Sequence, residues 1–172
     1  MYHDQIRQKG SSLLEVLVAL ILVSLGVLGF STLQYHAVNI SLEAIYHTQA
    51  VNIARDLAER IRVNSQMLDR YIVQANQNTT QHDVIENCIG RYSLQSCTAK
   101  MFADFDIQQV KQNASNLGMF VNILPCAGDR AARHCIYVAW GKTSATNGQS
   151  MHDCTHGQTY QPASTCVVLE AY

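Results

Sequence analysis

The sequence predicts an α+β protein: a long N-terminal helix packed against a small antiparallel β-sheet head whose loops are closed by disulfides. Three observations predict it. An apolar run at residues 13–33 passes, with no proline, into an amphipathic pattern that continues to residue 72. Three short apolar, partly β-branched stretches follow at residues 119–124, 136–140 and 166–169. They are too few for a sandwich and enough for one sheet lying on a helix. All six cysteines lie in the second half of the chain, and none forms a C-x-x-C pair.

The bulk numbers bound the rest. A length of 172 residues suits one domain with a modest core. Hydrophobic residues make up 48% and charged residues 15%, and the formal charge is −1. No basic excess exists to hold a phosphate backbone, so nucleic acid is not an expected partner. An even, loop-distributed set of cysteines points to disulfides and an oxidising compartment.

The helix begins with its most informative segment. Residues 1–10 are polar, with Arg7 and Lys9 close to the apolar run. From Leu13 to Leu33 the only charge is Glu15. About 20 such residues span a bilayer as a helix, and the basic residues before them place the N-terminus in the cytoplasm. An ordinary secretory signal is cut after its apolar region, beside small residues. Here the better cleavage site is Lys9-Gly10-Ser11, before the run. Cutting there keeps the apolar helix on the mature chain and frees an amine at Ser11. It leaves ten Lys and Arg against twelve Asp and Glu. Glu15 costs roughly 2.5–3.5 kcal/mol inside lipid, which marks it as functional. Paired with the amine of a neighbouring subunit, it would favour one axial register.

Beyond Leu33 the pattern turns amphipathic. Ala50, Ile53, Ala54, Leu57, Ala58, Ile61, Leu68 and Ile72 follow helical spacing, with Arg55, Asp56, Glu59, Arg60 and Arg62 off that stripe. Neither proline nor glycine occurs from Phe30 to Asn87. The expectation is one helix over residues 13–73, about 90 Å long, ending in the polar, Asn-rich loop 74–83. The chain divides accordingly into a leader at 1–10, a membrane or filament-core helix at 11–33, its amphipathic continuation at 34–73 and a head at 74–172.

In the head, six cysteines allow fifteen pairings, and sequence alone does not choose among them. The expected pairing is sequential, Cys88–Cys97, Cys126–Cys135 and Cys154–Cys166, because each would close a short loop of polar turn residues. Residues 98–113 read as a short helix with Met101, Phe102 and Phe105 on one face and Ile107 and Val110 off it. The single tryptophan, Trp140, reads as core or sheet filler. His134-Cys135 and Cys154-Thr155-His156 lack the spacing of a zinc site. No nucleophile-elbow, phosphate-loop or dinucleotide motif occurs, so neither metal, cofactor nor enzyme activity is expected.

The segment KGSSLLEVLVALILVSLGVLG, residues 9–29, resembles the prepilin signal of type IV pilins and pseudopilins. Gly10 matches the glycine after which the prepilin peptidase cuts. Glu15 matches the glutamate at the fifth mature position, and Ser11 stands where the family usually has an N-methylated phenylalanine. Residues 54–62, Cys97-Thr98 with Ala103-Asp104-Phe105-Asp106, and residues 136–141 are similar to the PilV-type minor pilins, the type IV pilus modification proteins. The resemblance implies a low-abundance subunit that starts or caps a pilus serving motility, adhesion or DNA uptake. Its implied partners are other minor and major pilins, the inner-membrane assembly platform, the prepilin peptidase and a large tip adhesin. It would sit in the inner membrane before assembly and on the cell surface after. Two alternatives stand beside it: a minor pseudopilin of a type II secretion system, and a filament-displayed adhesin or binding module.

Processing gives the first prediction. Mass spectrometry of the membrane-extracted chain should find an N-terminus at Ser11, and Gly10→Leu should leave the leader attached without preventing insertion. A mature N-terminus beyond Phe30 would refute the assignment.

Overall fold

The computed structural model describes residues 13–77, 88, 97–128 and 133–171. Gly10 and Ser11 lie outside them. The chain divides into two compact units, residues 1–44 and 45–172.

Helix α1 spans Leu13–Val63. It does not continue to residue 73 as the sequence suggested. Asn64 leaves helical geometry at φ −119° and ψ 43°, a 3₁₀ turn covers Ser65–Met67, and a second helix, α2, spans Leu68–Asn76. No proline or glycine makes this break. A tertiary contact accompanies it: the Asn64 side-chain amide donates to the Ala99 carbonyl at 2.7 Å.

Helix α3 spans Ala99–Asn116. Thr98 caps its start, its hydroxyl accepting from the Met101 amide at 3.3 Å. Its end is a left-handed glycine, Gly118 at φ +69°, whose amide donates to the Ser115 carbonyl. The buried stripe of α3 is Ala103, Ile107, Val110 and Ala114. The expected apolar face of Met101, Phe102 and Phe105 is not the buried one, and Phe102 is exposed. Two alanines let the helix backbone approach its neighbours more closely than a phenylalanine face would allow.

Three strands form the main sheet: β1 (Met119–Pro125), β2 (His134–Trp140) and, last in the chain, β6 (Cys166–Glu170). The order is β1-β2-β6, all antiparallel. Inward residues alternate along β1 as Met119, Val121 and Ile123. They meet Ile136 and Val138 of β2, and Ala50, Ala54, Leu57 and Ile61 of α1, in one core. The other face of β2 is also buried, where Cys135, Tyr137 and Ala139 lie under Ala145 and Cys154. That cover comes from a second sheet of β3 (Ser144–Asn147), β4 (Asp153–His156) and β5 (Thr159–Tyr160). Its β3–β4 pair is parallel and its β4–β5 pair antiparallel. A Cβ at Gly148 would stand 2.4 Å from the Asp153 carboxylate, so that side chain would have to shift.

The disulfides pair in sequence order, Cys88–Cys97, Cys126–Cys135 and Cys154–Cys166. The second closes the β1–β2 hairpin at its turn. The third ties β4 to β6 and so clamps one sheet on the other.

The free edge of β1 is closed by a side chain. Asn76, the last residue of α2, donates to the Ile123 carbonyl at 2.7 Å and accepts from the Ile123 amide at 2.9 Å. It thus imitates a neighbouring strand at one position. Lys111 closes the C-terminus of α2, its amine donating to the Ala75 carbonyl at 2.9 Å and the Gln77 carbonyl at 2.7 Å. Asn76→Ala should therefore lower the unfolding free energy of the detergent-solubilised chain by about 1–3 kcal/mol, through two bare backbone groups. Denaturant titration checks it, and a loss near zero would mean that water replaces the amide at no cost.

Candidate functional site

Two regions carry groups whose placement demands an explanation. The first is the start of α1. Its residues 16–33 hold three hydroxyls, and each is satisfied by the helix itself. Ser24 donates to the Ile21 carbonyl, Ser31 to Val27 and Thr32 to Gly29, all at 2.8 Å. Ser and Thr routinely hide their polarity in this way. Glu15 cannot, because a carboxylate has no proton to donate to a carbonyl. It lies in the first turn of α1, exposed, with no partner among the described residues. Around it the apolar side chains point outward on all sides, from Leu13 at 82% exposure to Leu33 at 69%. A helix apolar all round belongs in lipid or among other helices. By length and composition α1 is able to cross a membrane.

The second region is a charged seam joining the three helices of the head. Arg60 on α1 lies between two carboxylates, bonding Asp56 at 3.0 Å and Asp106 of α3 at 2.7 Å. Burial works against the Arg60 charge, but the hydrogen bonds and charges of Asp56 and Asp106 outweigh it and hold its pKa above the ordinary arginine value. The other oxygen of Asp106 accepts from the Tyr71 hydroxyl of α2 at 2.6 Å. Burial and that hydrogen bond push the tyrosine pKa well above its usual value. A second pair, Arg70 of α2 with Asp104 of α3, is two-pronged at 2.5 and 2.9 Å. The sequence places Arg60 off the apolar stripe and does not reveal its partner on α3. The available signal was its spacing, since Asp56 and Arg60 are four apart on one helix.

Comparison with known families matches both regions. The prokaryotic N-terminal methylation motif covers residues 6–31, the part that holds Gly10, Ser11 and Glu15. A family model described as type IV pilin Tt1218 matches residues 32–108, from the rest of α1 through the first half of α3. Over residues 6–108 the chain is similar to the type IV pilins. The matches adjoin, and the second encloses both the Arg60–Asp106 and the Arg70–Asp104 pairs. No curated protein and no solved structure matches the chain.

For this chain the motif and the family imply processing by the prepilin peptidase and assembly with other pilins. The motif also implies anchoring in the membrane before assembly and display on the pilus afterwards. Pilins are structural subunits rather than catalysts. In this chain every cysteine is engaged in a disulfide. Among the described residues no group of three or more His, Cys, Asp or Glu is placed to hold a metal. His134-Cys135 and Cys154-Thr155-His156 thus belong to β2 and β4, with their sulfurs committed.

The seam predicts a pH response. A tyrosine whose folded pKa is raised contributes stability that is complete below its unfolded pKa of about 10 and is lost as pH climbs through the folded value. Tyr71→Phe should therefore cost about 1–2 kcal/mol at neutral pH and flatten the loss of stability above about pH 10 relative to the parent. Thermal unfolding as a function of pH reads both effects, and parallel curves would contradict the role given to the hydroxyl.

Proposed function

We propose that this chain is a minor pilin that takes part in starting or capping a type IV pilus, with Glu15 as the group that admits it to the assembly. The observation that carries the reading is the isolation of that carboxylate. It is the one polar side chain of the apolar helix that the helix cannot satisfy. Cleavage after Gly10 would create the matching cation at Ser11, so a neighbour's amine and this carboxylate would neutralise one another inside the filament core. The similarity of residues 54–62, 103–106 and 136–141 to PilV-type subunits supports the minor role. In this reading Arg7 and Lys9 hold the leader in the cytoplasm. Residues 11–33 are the membrane and filament-core part of α1, and the head is carried outside. The partners are the other minor and major pilins, the inner-membrane assembly platform and a large tip adhesin.

The test separates assembly from folding. Glu15→Leu and Glu15→Gln should leave the chain processed, inserted and disulfide-bonded, because removing a charge from lipid helps insertion. Both should lose co-purification with the other pilins, and surface pilus number should fall. Full complementation of a deletion strain by Glu15→Leu would show that the carboxylate only reaches to the membrane interface.

A further inference from the structure

Past the membrane-length run, α1 carries a second isolated carboxylate. Between Glu15 and Arg55 the only Asp, Glu, Lys or Arg is Glu43. It is exposed and has no hydrogen bond or ion pair among the described residues. At 3.6 residues per turn, Glu43, Asn39 and His36 fall within about 60° of one another and form a polar seam. Apolar residues border that seam on both sides, Leu33 and Ile40 along one flank, Tyr35 and Leu42 along the other. Their exposures are 69%, 72%, 68% and 48%. Leaving such flanks in water costs about 25 cal/mol for each Å² that could be buried. They continue the apolar surface of the same helix that meets other pilins, so the same class of neighbour covers them. A carboxylate enclosed between two covered apolar flanks then requires a partner.

We propose that Glu43 docks against a basic side chain on the α1 helix of a neighbouring pilin of different sequence, and so selects which pilin stands beside this one. The inference rests on the assembly reading of Glu15. A second copy of the chain does not supply the cation. Pairing a Ser11 amine with a neighbour's Glu15 offsets two parallel helices by four residues, about 6 Å. A copy offset one way brings Asn39 opposite Glu43, and a copy offset the other way brings His47. Neither is a permanent cation. The Arg55 of such copies lies sixteen or eight residues off, about 24 or 12 Å along the axis. A pilin with lysine or arginine at that level satisfies Glu43, and one without it is disfavoured by an enclosed, unpaired charge.

A photoreactive phenylalanine in place of Ile40, one flank of the seam, reads the contact in cells that build the pilus. The expected adduct is with another pilin. Glu43→Leu should weaken it about tenfold or more, with processing and head disulfides unchanged, and Glu43→Asp should retain most of it. Glu43→Arg should abolish it, and a Lys or Arg to Glu exchange on α1 of the adduct partner should restore it. Equal adduct in Glu43→Leu, adduct only with a second copy, or no adduct from the parent each overturns the proposal. Glu15→Leu run in parallel separates the two readings. If it removes the adduct while Glu43→Leu does not, selection by Glu43 alone fails. If neither removes it, the assembly role of Glu15 fails as well.

Discussion

A helix in lipid has no water to fall back on, so every backbone amide and carbonyl must be satisfied along its own axis. That requirement shapes α1 more than any side-chain contact does. Residues 13–33 hold no proline, and Ser24, Ser31 and Thr32 fold their hydroxyls back onto the helix. Past the membrane-length run the helix continues unbroken to Val63. Glycines at 26 and 29 are tolerated because the backbone ladder persists through them, and a Cβ at either would meet nothing. Once this helix is fixed, the head has one surface to build on, the stripe of Ala50, Ala54, Leu57 and Ile61.

The head answers with small residues at the helix contacts and large ones on the strands. Alanines at 50, 54, 75, 103 and 114 are all buried, which brings helix backbones close to the sheet. The bulk comes from Ile123, Ile136, Val138 and Tyr71. A core this modest leaves little surplus over chain entropy. Disulfides and ion pairs sit where hydrophobic contact is thin. One disulfide closes the β1–β2 turn, and another holds the polar second sheet to β6. Arg60 and Arg70 tie α1 and α2 to α3 through Asp106 and Asp104.

What could be read from the sequence, and what could not, follows from the range of the forces involved. The start of α1, the three main strands and the place of Glu15 depend on local hydrophobic pattern, and pattern is what a sequence displays. The end of α1 coincides with Asn64 reaching a carbonyl thirty-five positions away, and no local pattern contains that contact. The buried face of α3 differs from the expected one because Ala103, Ile107, Val110 and Ala114 form a continuous helical stripe whose two alanines are quiet on any apolarity scale, whereas Phe102 and Phe105 are loud. Packing rewarded close approach over area. The strands β3, β4 and β5 are short and polar, held by Cys154 and by the Asp153 carboxylate accepting from the Ser150 amide and the Thr146 hydroxyl. Of the assembly site, the charge itself was legible. Its isolation became a physical statement only when the three hydroxyls were seen to be satisfied.

The distribution of unmet demands separates folding from assembly. The disulfides, and the ion pairs that join one helix to another, fall within residues 45–172. There the charged and polar groups at the helix contacts answer one another: Asp106 spends one oxygen on Arg60 and the other on Tyr71, and Asn76 completes the edge of β1. Trp140 Nε1, Thr155 Oγ1 and Ser164 Oγ are buried exceptions without a partner among the described residues. Residues 13–44 hold none of these devices. Their exposed surface is apolar through Leu33 and mixed beyond it, and their two carboxylates have no partner among the described residues. A charge left unanswered within the chain contributes nothing to the stability of the chain. In the proposed assembly its answer lies on another subunit, where satisfying it would stabilise the assembled state and not the folded monomer. On the assembly reading proposed for them, substitutions at Glu15 and Glu43 act on incorporation and leave the head intact. Substitutions at Asp106 or Asn76 act first on the head, and reach the filament only through the amount of folded pilin that survives.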